Sequence, residues 1–426
     1  MISIGELYKI YLDYPSIQTD TRQLKPGDIF FALKGNNFNG NTFVKQALEK
    51  GAAWAIVDEE IGSVSEKSIK VDDVLTALQQ LAKYHRLQFK IPFLAITGSN
   101  GKTTTKELIH AVLSTTYRTY TTQGNLNNHI GIPLTILKIK SDADIAVIEM
   151  GANHLKEIEG YCRYVLPTHG IITNAGKAHL EGFGGVEGVK KGKGELYDFL
   201  RANKGTAFVM WDYDYLHSMS KGISEIVRYG THDADIIGMV CQSEPFIGVT
   251  MTKGISLKNI STQLVGDYNL PNILCAIAVG KYFKVEDAKI KLAIENYLPS
   301  NSRSQLLEKG SNKIILDAYN ANPSSMKAAI DNFAKLKADK KILMLGAMAE
   351  LGEESTEEHQ SLIDLIKKYN WEKVVLVGEN FSKIDNPYLN FRSSTEAKNW
   401  FINEKLENTY ILVKGSRSMQ MEKVLE

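Results

Sequence analysis

A chain of 426 residues is longer than one hydrophobic core usually organises, and at roughly 150 residues per domain it predicts about three. Its 43% hydrophobic and 23% charged residues match soluble globular proteins and exclude a disordered or fibrous chain. A formal net charge of +1 removes any overall attraction to nucleic acid or anionic lipid, leaving only a local basic cleft as a phosphate site.

The opening segment, MISIGELYKIYLDYPSI, lacks a basic stretch followed by an apolar one, and nowhere do roughly 20 apolar residues run together. A cytoplasmic protein with no membrane insertion and no nucleic-acid partner is expected. Short apolar runs ending in Gly, Asn or Asp then alternate with segments of helical period, the pattern of parallel sheets flanked by helices. The fold class is therefore α/β. Strands are predicted at Phe93 to Thr97, Ile145 to Met150, Gly170 to Thr173, Ala207 to Trp211, Ile314 to Ala318, Ile342 to Leu345, Val374 to Val377 and Tyr410 to Val413. Pro92 ends the helical stretch LAKYHRLQFK and opens an extended segment, which sets a boundary near residue 90. A second falls near residue 300, where Tyr297-Leu-Pro-Ser-Asn-Ser-Arg-Ser has the Pro and Ser content of a linker. The expected domains are 1–90, 91–302 and 303–426. Cys162, Cys241 and Cys275 are widely spaced, odd in number and free of CxxC spacing, so they read as buried thiols rather than a disulfide or zinc framework.

The segment Phe93-Leu-Ala-Ile-Thr-Gly98-Ser99-Asn100-Gly101-Lys102-Thr103-Thr104 runs from an apolar strand through a glycine loop into a helix. In that setting backbone N–H groups curl toward a phosphate, the helix N-terminus adds its dipole, Lys102 supplies a cation and Thr103 a hydroxyl for Mg²⁺. Only the second half of GxxxxGK[ST] fits, because Ile96 stands where the first glycine belongs. A simple glycine turn is the competing reading.

The variant TGSNGKTT resembles the ATP loop of the Mur ligase family, whose relatives include folylpolyglutamate synthases, and the likeness spreads over nearly the whole chain. Thr19-Asp20-Thr21-Arg22, Lys34-Gly and Phe38-Asn39-Gly are similar to the family's UDP-binding domain. Asn125-Leu-Asn127-Asn128, Glu149-Met-Gly-Ala-Asn and His179-Leu-Glu-Gly-Phe-Gly follow. Asp317-Ala-Tyr319-Asn320-Ala-Asn322-Pro323, Gly346-Ala-Met-Ala-Glu350 and Lys414-Gly-Ser-Arg417 resemble the branch that adds D-alanyl-D-alanine to UDP-N-acetylmuramoyl-tripeptide in peptidoglycan synthesis.

That resemblance implies a small α/β N-terminal domain, a central P-loop-type sheet, mostly parallel, and a Rossmann-like C-terminal domain. It also implies an ATP-dependent amide-bond ligase, monomeric, that phosphorylates a carboxylate to an acyl phosphate for displacement by an amine. Carboxylate and triphosphate repel, so cations must hold them in line. By the same resemblance two Mg²⁺ ions are held by Thr103, Glu149, His179 and Lys193, the last converted by CO₂ into a carbamate. Catalysis falls to Lys102, Lys193, His179 and Glu149. ATP is assigned Gly98 to Thr104, Asn269, Asn272, Arg303 and Asp317. Thr19, Asp20, Thr21, Arg22, Lys34 and Asn39 are assigned to UDP, with further substrate contacts at Asn125, Asn127, Asn128, Tyr319, Asn320, Asn322, Lys414 and Arg417. Taken alone, each has a plainer reading: Glu149 as a solvated strand end, His179 as a surface loop residue, KKGKGE around Lys193 as a solvated helix start, and Lys414 with Arg417 as a surface cluster. A sister ligase adding one amino acid, a folylpolyglutamate synthase-like enzyme and a non-catalytic nucleotide-binding module are the alternatives.

Overall fold

A computed structural model describes residues 2–60, 66–300 and 302–426; Asn301 of the expected linker lies outside them. By internal contacts the chain divides into two compact units.

The first unit comprises the chain through Ile96 together with Tyr117–Gly151 and Glu157–His169. Ser3 and Glu6 form a reciprocal cap that starts the helix Ile4–Asp13, giving acceptors to N–H groups that have no partner within the helix. Strands Ile17–Gln18, Ile29–Phe31, Trp54–Val57 and Ser68–Lys70 form a parallel four-stranded sheet in that order. Phe30, Ala32, Val44, Ala47, Ala55 and Val57 make its core. Farther on, Phe93–Thr97 and Thr119–Thr121 both pair in parallel with Ile145–Glu149. Every residue of Phe93–Thr97 and Ile145–Glu149 is buried, which is why these strands read as unbroken apolar runs rather than alternating ones.

The second unit comprises Thr97–Thr116, Ala152–Lys156 and Gly170 onward. Its first sheet runs in the order His169–Ile172, Thr206–Met210, Glu225–Gly230, Ile236–Gln242, Gly248–Lys253 and Asn259–Ser261, parallel at first and antiparallel over the last three strands. Its second sheet is six-stranded, in the order Gln305–Lys309, Asn312–Asp317, Tyr410–Lys414, Lys341–Gly346, Lys373–Val377 and Leu389–Phe391. All its pairings are parallel except the first. Asp317 is in register with Lys414, and Lys414 with Leu345, so the loops carrying the DAYNANP, GAMAE and KGSR strings leave neighbouring strand ends. Ligand groups of an open α/β sheet gather at such carboxyl ends.

The α/β class with mostly parallel sheets and flanking helices is as expected, and each predicted strand is present within one or two residues of its predicted limits. The cysteines differ in one respect. Cys162 and Cys275 are buried, whereas Cys241 is exposed, because it lies toward the outer end of the strand Ile236–Gln242, where burial gives way to solvent.

Candidate active site

The phosphate-loop candidate sits between the buried strand Phe93–Thr97 and the helix Lys102–Leu113. Gly98 and Gly101 adopt φ of 143° and 80°, and a Cβ on them would come within 2.0 Å of Thr173 Oγ1 and 2.6 Å of Asn272 Oδ1. Only glycine fits both the backbone and the space. Lys102 Nζ folds back over the loop, donating to the carbonyls of Gly98 at 2.7 Å and Ser99 at 3.1 Å.

The loop after the strand His169–Ile172 braces the phosphate loop from one side. Asn174 accepts from the backbone N of Ser99 through its carbonyl at 2.9 Å and from that of Asn100 through Oδ1 at 3.0 Å. Thr173 Oγ1 and Asn174 Nδ2 donate to the Asn100 carbonyl at 2.6 and 3.1 Å. Ser99 Oγ exchanges hydrogen bonds with the carbonyl and N–H of Gly176. Behind the helix, Thr105 Oγ1 donates to Asn272 Oδ1, Asn272 Nδ2 to Asn269 Oδ1, and Asn269 Nδ2 to the Val265 carbonyl. Asn269 and Asn272 thus lie buried as a brace under Gly101.

The DAYNANP loop also reaches the phosphate loop. Asn322 Nδ2 donates to Asn100 Oδ1 at 2.8 Å, while Ser324 Oγ accepts from the N–H of Lys177 at 2.9 Å. Lys177 Nζ pairs with the buried Glu358 at 2.5 Å, and this bond raises its pKa. His179 has φ of 53° just before the short helix Leu180–Phe183, and its Nδ1 lies 2.5 Å from Glu350 Oε2. That imidazole holds the Glu350 carboxyl below the usual range.

Asp317 ends its strand with Oδ2 2.5 Å from the Nζ of Lys414, a side chain only 2% exposed. The same ammonium faces the Asn320 carbonyl at 3.4 Å, so Lys414 ties the loop to its neighbouring strand. Asn320 Oδ1 accepts from Ala321 N. The Tyr319 ring is covered by the Arg303 guanidinium at 3.6 Å, with that of Arg417 at 5.8 Å. Arg417 is largely exposed and pairs with Glu422.

Lys193 departs from the plain reading of KKGKGE. It lies within the helix Val186–Ala202, 1% exposed, donates to the Ala152 carbonyl at 2.8 Å and stands 4.9 Å from the Phe183 ring centre.

In the first unit Glu149 is buried at its strand end; its backbone N donates to Thr122 Oγ1, and its Oε1 accepts from Asn127 Nδ2 at 2.8 Å. Asn128 Oδ1 accepts from the N–H groups of Ile130 and Gly131 just where the helix Gly131–Leu137 begins, and Asn125 is exposed. Arg22 grips Asp20 with two nitrogens, which pulls that carboxyl down to about 2. Thr21 bonds Gln46, and Thr19 is half-buried beside this turn. Lys34 bridges Asp58 and Glu59, and Asn39 donates to Glu59. Burial opposes the charge on Asp58, but bonds from Lys34, Asn41 and the Val74 N–H outweigh it and lower its pKa.

Three family models match the chain: the Mur ligase family catalytic domain at residues 13–86, the Mur ligase middle domain at 96–280, and the Mur ligase glutamate ligase domain at 302–417. A UDP-N-acetylmuramoyl-tripeptide--D-alanyl-D-alanine ligase of Bacillus subtilis is 36% identical over 423 residues, 96% of this chain and 92% of the relative. The chain belongs to the Mur ligase family. Its Escherichia coli relative of the same name is 33% identical over 99% of this chain and 95% of the relative. Among solved structures, MurF from Acinetobacter baumannii superposes with a TM-score of 0.87 at 31% identity, covering 96% of this chain and 92% of that one. MurF ligase from Thermotoga maritima, in complex with ADP, gives 0.86 at 25% identity over 96% of both chains.

Several residues of this Mur ligase that contact the phosphate loop and its neighbours carried no motif. Thr173, Asn174 and Lys177 follow a strand and precede His179, where the end of a parallel strand was the available signal. Ser324 and Glu358 sit on helices of the C-terminal sheet and are joined to Lys177 only by the fold.

Proposed function

We propose that this Mur ligase joins D-alanyl-D-alanine to the terminal carboxyl of UDP-N-acetylmuramoyl-tripeptide, with ATP converted to ADP and phosphate. The observation that carries this reading is the 36% identity across 96% of the chain to a ligase of that name. The DAYNANP loop hydrogen-bonded to the phosphate loop supports it. The C-terminal location of that string and the three family matches also favour domains at 1–90, 91–302 and 303–426, holding the UDP-sugar, ATP and the dipeptide.

The carboxylate oxygen attacks the γ-phosphorus of ATP, and ADP leaves. The dipeptide amine then attacks the acyl carbon, phosphate departs and the amine loses a proton. Lys102 and the loop N–H groups hold the triphosphate in line, offsetting the repulsion between the two anions. Gly98 to Thr104 form the cradle, Arg303 stacked on Tyr319 supplies a further cation, and Asp317 with Asn320 and Asn322 shapes the dipeptide loop. Arg417, exposed beside Tyr319, is suited to the dipeptide carboxylate. Arg22, paired with Asp20, and Lys34, paired with Asp58 and Glu59, would offset the diphosphate charge by exchanging these partners for phosphate oxygens, with Thr19, Asp20, Thr21 and Asn39 completing that site.

Mg²⁺ takes oxygen ligands, and the Thr103 hydroxyl and the buried Glu149 carboxylate are donors of that kind. His179 adds an imidazole. Lys193 as an amine donates to Ala152, so it fits the set only as its carbamate. Among the described residues no three His, Cys, Asp or Glu side chains gather as a metal site. Bound Mg²⁺ would neutralise phosphate charge. Among the described residues no helix is long and apolar enough to cross a membrane. The test is ADP formation with purified substrates. It requires UDP-N-acetylmuramoyl-tripeptide and D-alanyl-D-alanine together, whereas turnover with single amino acids or folate acceptors instead would assign a sister enzyme.

A further inference from the structure

Asn322 uses both ends of its amide within the protein. Its Oδ1 accepts from the Ser325 N–H at 2.9 Å, capping the helix Pro323–Lys335, and Ser325 Oγ returns a bond from the Asn322 N–H. Because the cap needs oxygen, the amide nitrogen must face the other way, and there it meets Asn100 Oδ1 at 2.8 Å. Asn100 is itself fixed: its N–H goes to Asn174 Oδ1 and its carbonyl accepts from Thr173 Oγ1 and Asn174 Nδ2. One side-chain bond therefore links the capped start of a C-terminal helix to a backbone held by three others.

We propose that Asn322 is a positioning residue that couples the DAYNANP loop to the nucleotide loop, acting through Asn100 rather than by touching the dipeptide. With its oxygen in the helix cap and its nitrogen on Asn100 Oδ1, the Asn322 amide fixes the Asn100 side chain above a backbone held by Asn174 and Thr173. Asn100 lies in the turn whose N–H groups cradle phosphate. Occupation of either loop thereby biases the other, since a bond between two binding elements carries coupling in both directions. This rests on the reading of Gly98 to Thr104 as the ATP site.

The test is calorimetric titration of a non-hydrolysable ATP analogue into the full chain without other substrates, using the wild type, Asn322→Ser, Asn100→Ala and the double variant. Serine retains the helix-capping oxygen but cannot reach Asn100, so the thermal midpoint should stay within about 2 °C of the wild type. Each single variant should bind the analogue about fivefold more weakly, and the double variant no more weakly than the worse single one. In the same proteins the KM for ATP should rise with that for D-alanyl-D-alanine while kcat changes less. Wild-type affinity in Asn322→Ser, or losses that multiply in the double variant, would overturn the coupling. If the wild type bound the analogue but did not ligate the dipeptide, the proposed substrate would fail while the titration still decided this point.

Discussion

Lys193 Nζ donates to the carbonyl of Ala152 over 2.8 Å from a side chain that is 1% exposed. A buried ammonium is costly unless it is paired, and a carbamate there would turn a donor into an anion. Lys193→Ala is expected to lose nearly all ligation, with partial recovery on adding acetate or formate. Stripping bicarbonate from wild-type buffers should slow turnover reversibly. Neither recovery nor a bicarbonate effect would leave Lys193 as a packing residue.

Gly98→Ala tests the cradle without altering charge. The added carbon would sit 2.0 Å from Thr173 Oγ1, at a φ of 143° that alanine rarely adopts. Strain of this kind is worth about 1–3 kcal/mol, so nucleotide affinity should drop by roughly tenfold or more. Gly160→Ala, where the new carbon meets nothing within 4 Å in the helix Glu157–Val165, should bind nucleotide normally and serve as the control. Equal affinities in the two variants would argue against the loop as the binding element.

Lys177→Met leaves Glu358, whose side chain is 8% exposed, without this partner. Lys177 is itself about half exposed, so solvent screening reduces the loss to about 1 kcal/mol. Chemical denaturation should register that loss. Adding Glu358→Gln to Lys177→Met should recover part of it, and no recovery would show that the pair is not the source.

His359 is fully buried, donates from Nδ1 to the Ser355 carbonyl and accepts from the Met348 N–H at Nε2, so it is neutral in the fold. Burial lowers its pKa below 6.5. Between that lowered value and 6.5 the unfolded chain binds the extra proton and the folded chain does not, so stability falls as pH drops through this window. The thermal midpoint should decline from pH 7 toward pH 5, with a shallower slope in His359→Gln. An unchanged slope in that variant would place the pH dependence elsewhere.

The sequence was most legible where one residue type has one physical use. An unbroken apolar run followed by GKT identifies a buried parallel strand entering a helix through a glycine turn, and Pro323 marks a helix start. Lys193 was harder, because three lysines among glycines look solvated. Yet Val189, Lys193, Leu196, Tyr197 and Leu200 share the buried face of one helix, a helical spacing that reveals the lysine's burial once the helix is recognised. Asn174 and Glu358 were not legible at all, since their partners lie 74 and 181 residues away and only the sheet order brings them together. Glu350 was visible as part of a string, but its pairing with His179 depends on the C-terminal loops leaving adjacent strand ends.

The central claim is that a metal-dependent phosphoryl transfer at this loop activates a peptide carboxyl for a dipeptide amine. Its most direct test is ADP release by purified enzyme given ATP, Mg²⁺, D-alanyl-D-alanine and UDP-N-acetylmuramoyl-tripeptide carrying either diaminopimelate or lysine, alongside Lys102→Ala. The account predicts ADP and UDP-N-acetylmuramoyl-pentapeptide in equal amounts with at least one tripeptide, and neither product from Lys102→Ala, which should still bind the UDP substrate. Pentapeptide formation at near-normal rate by Lys102→Ala would contradict it.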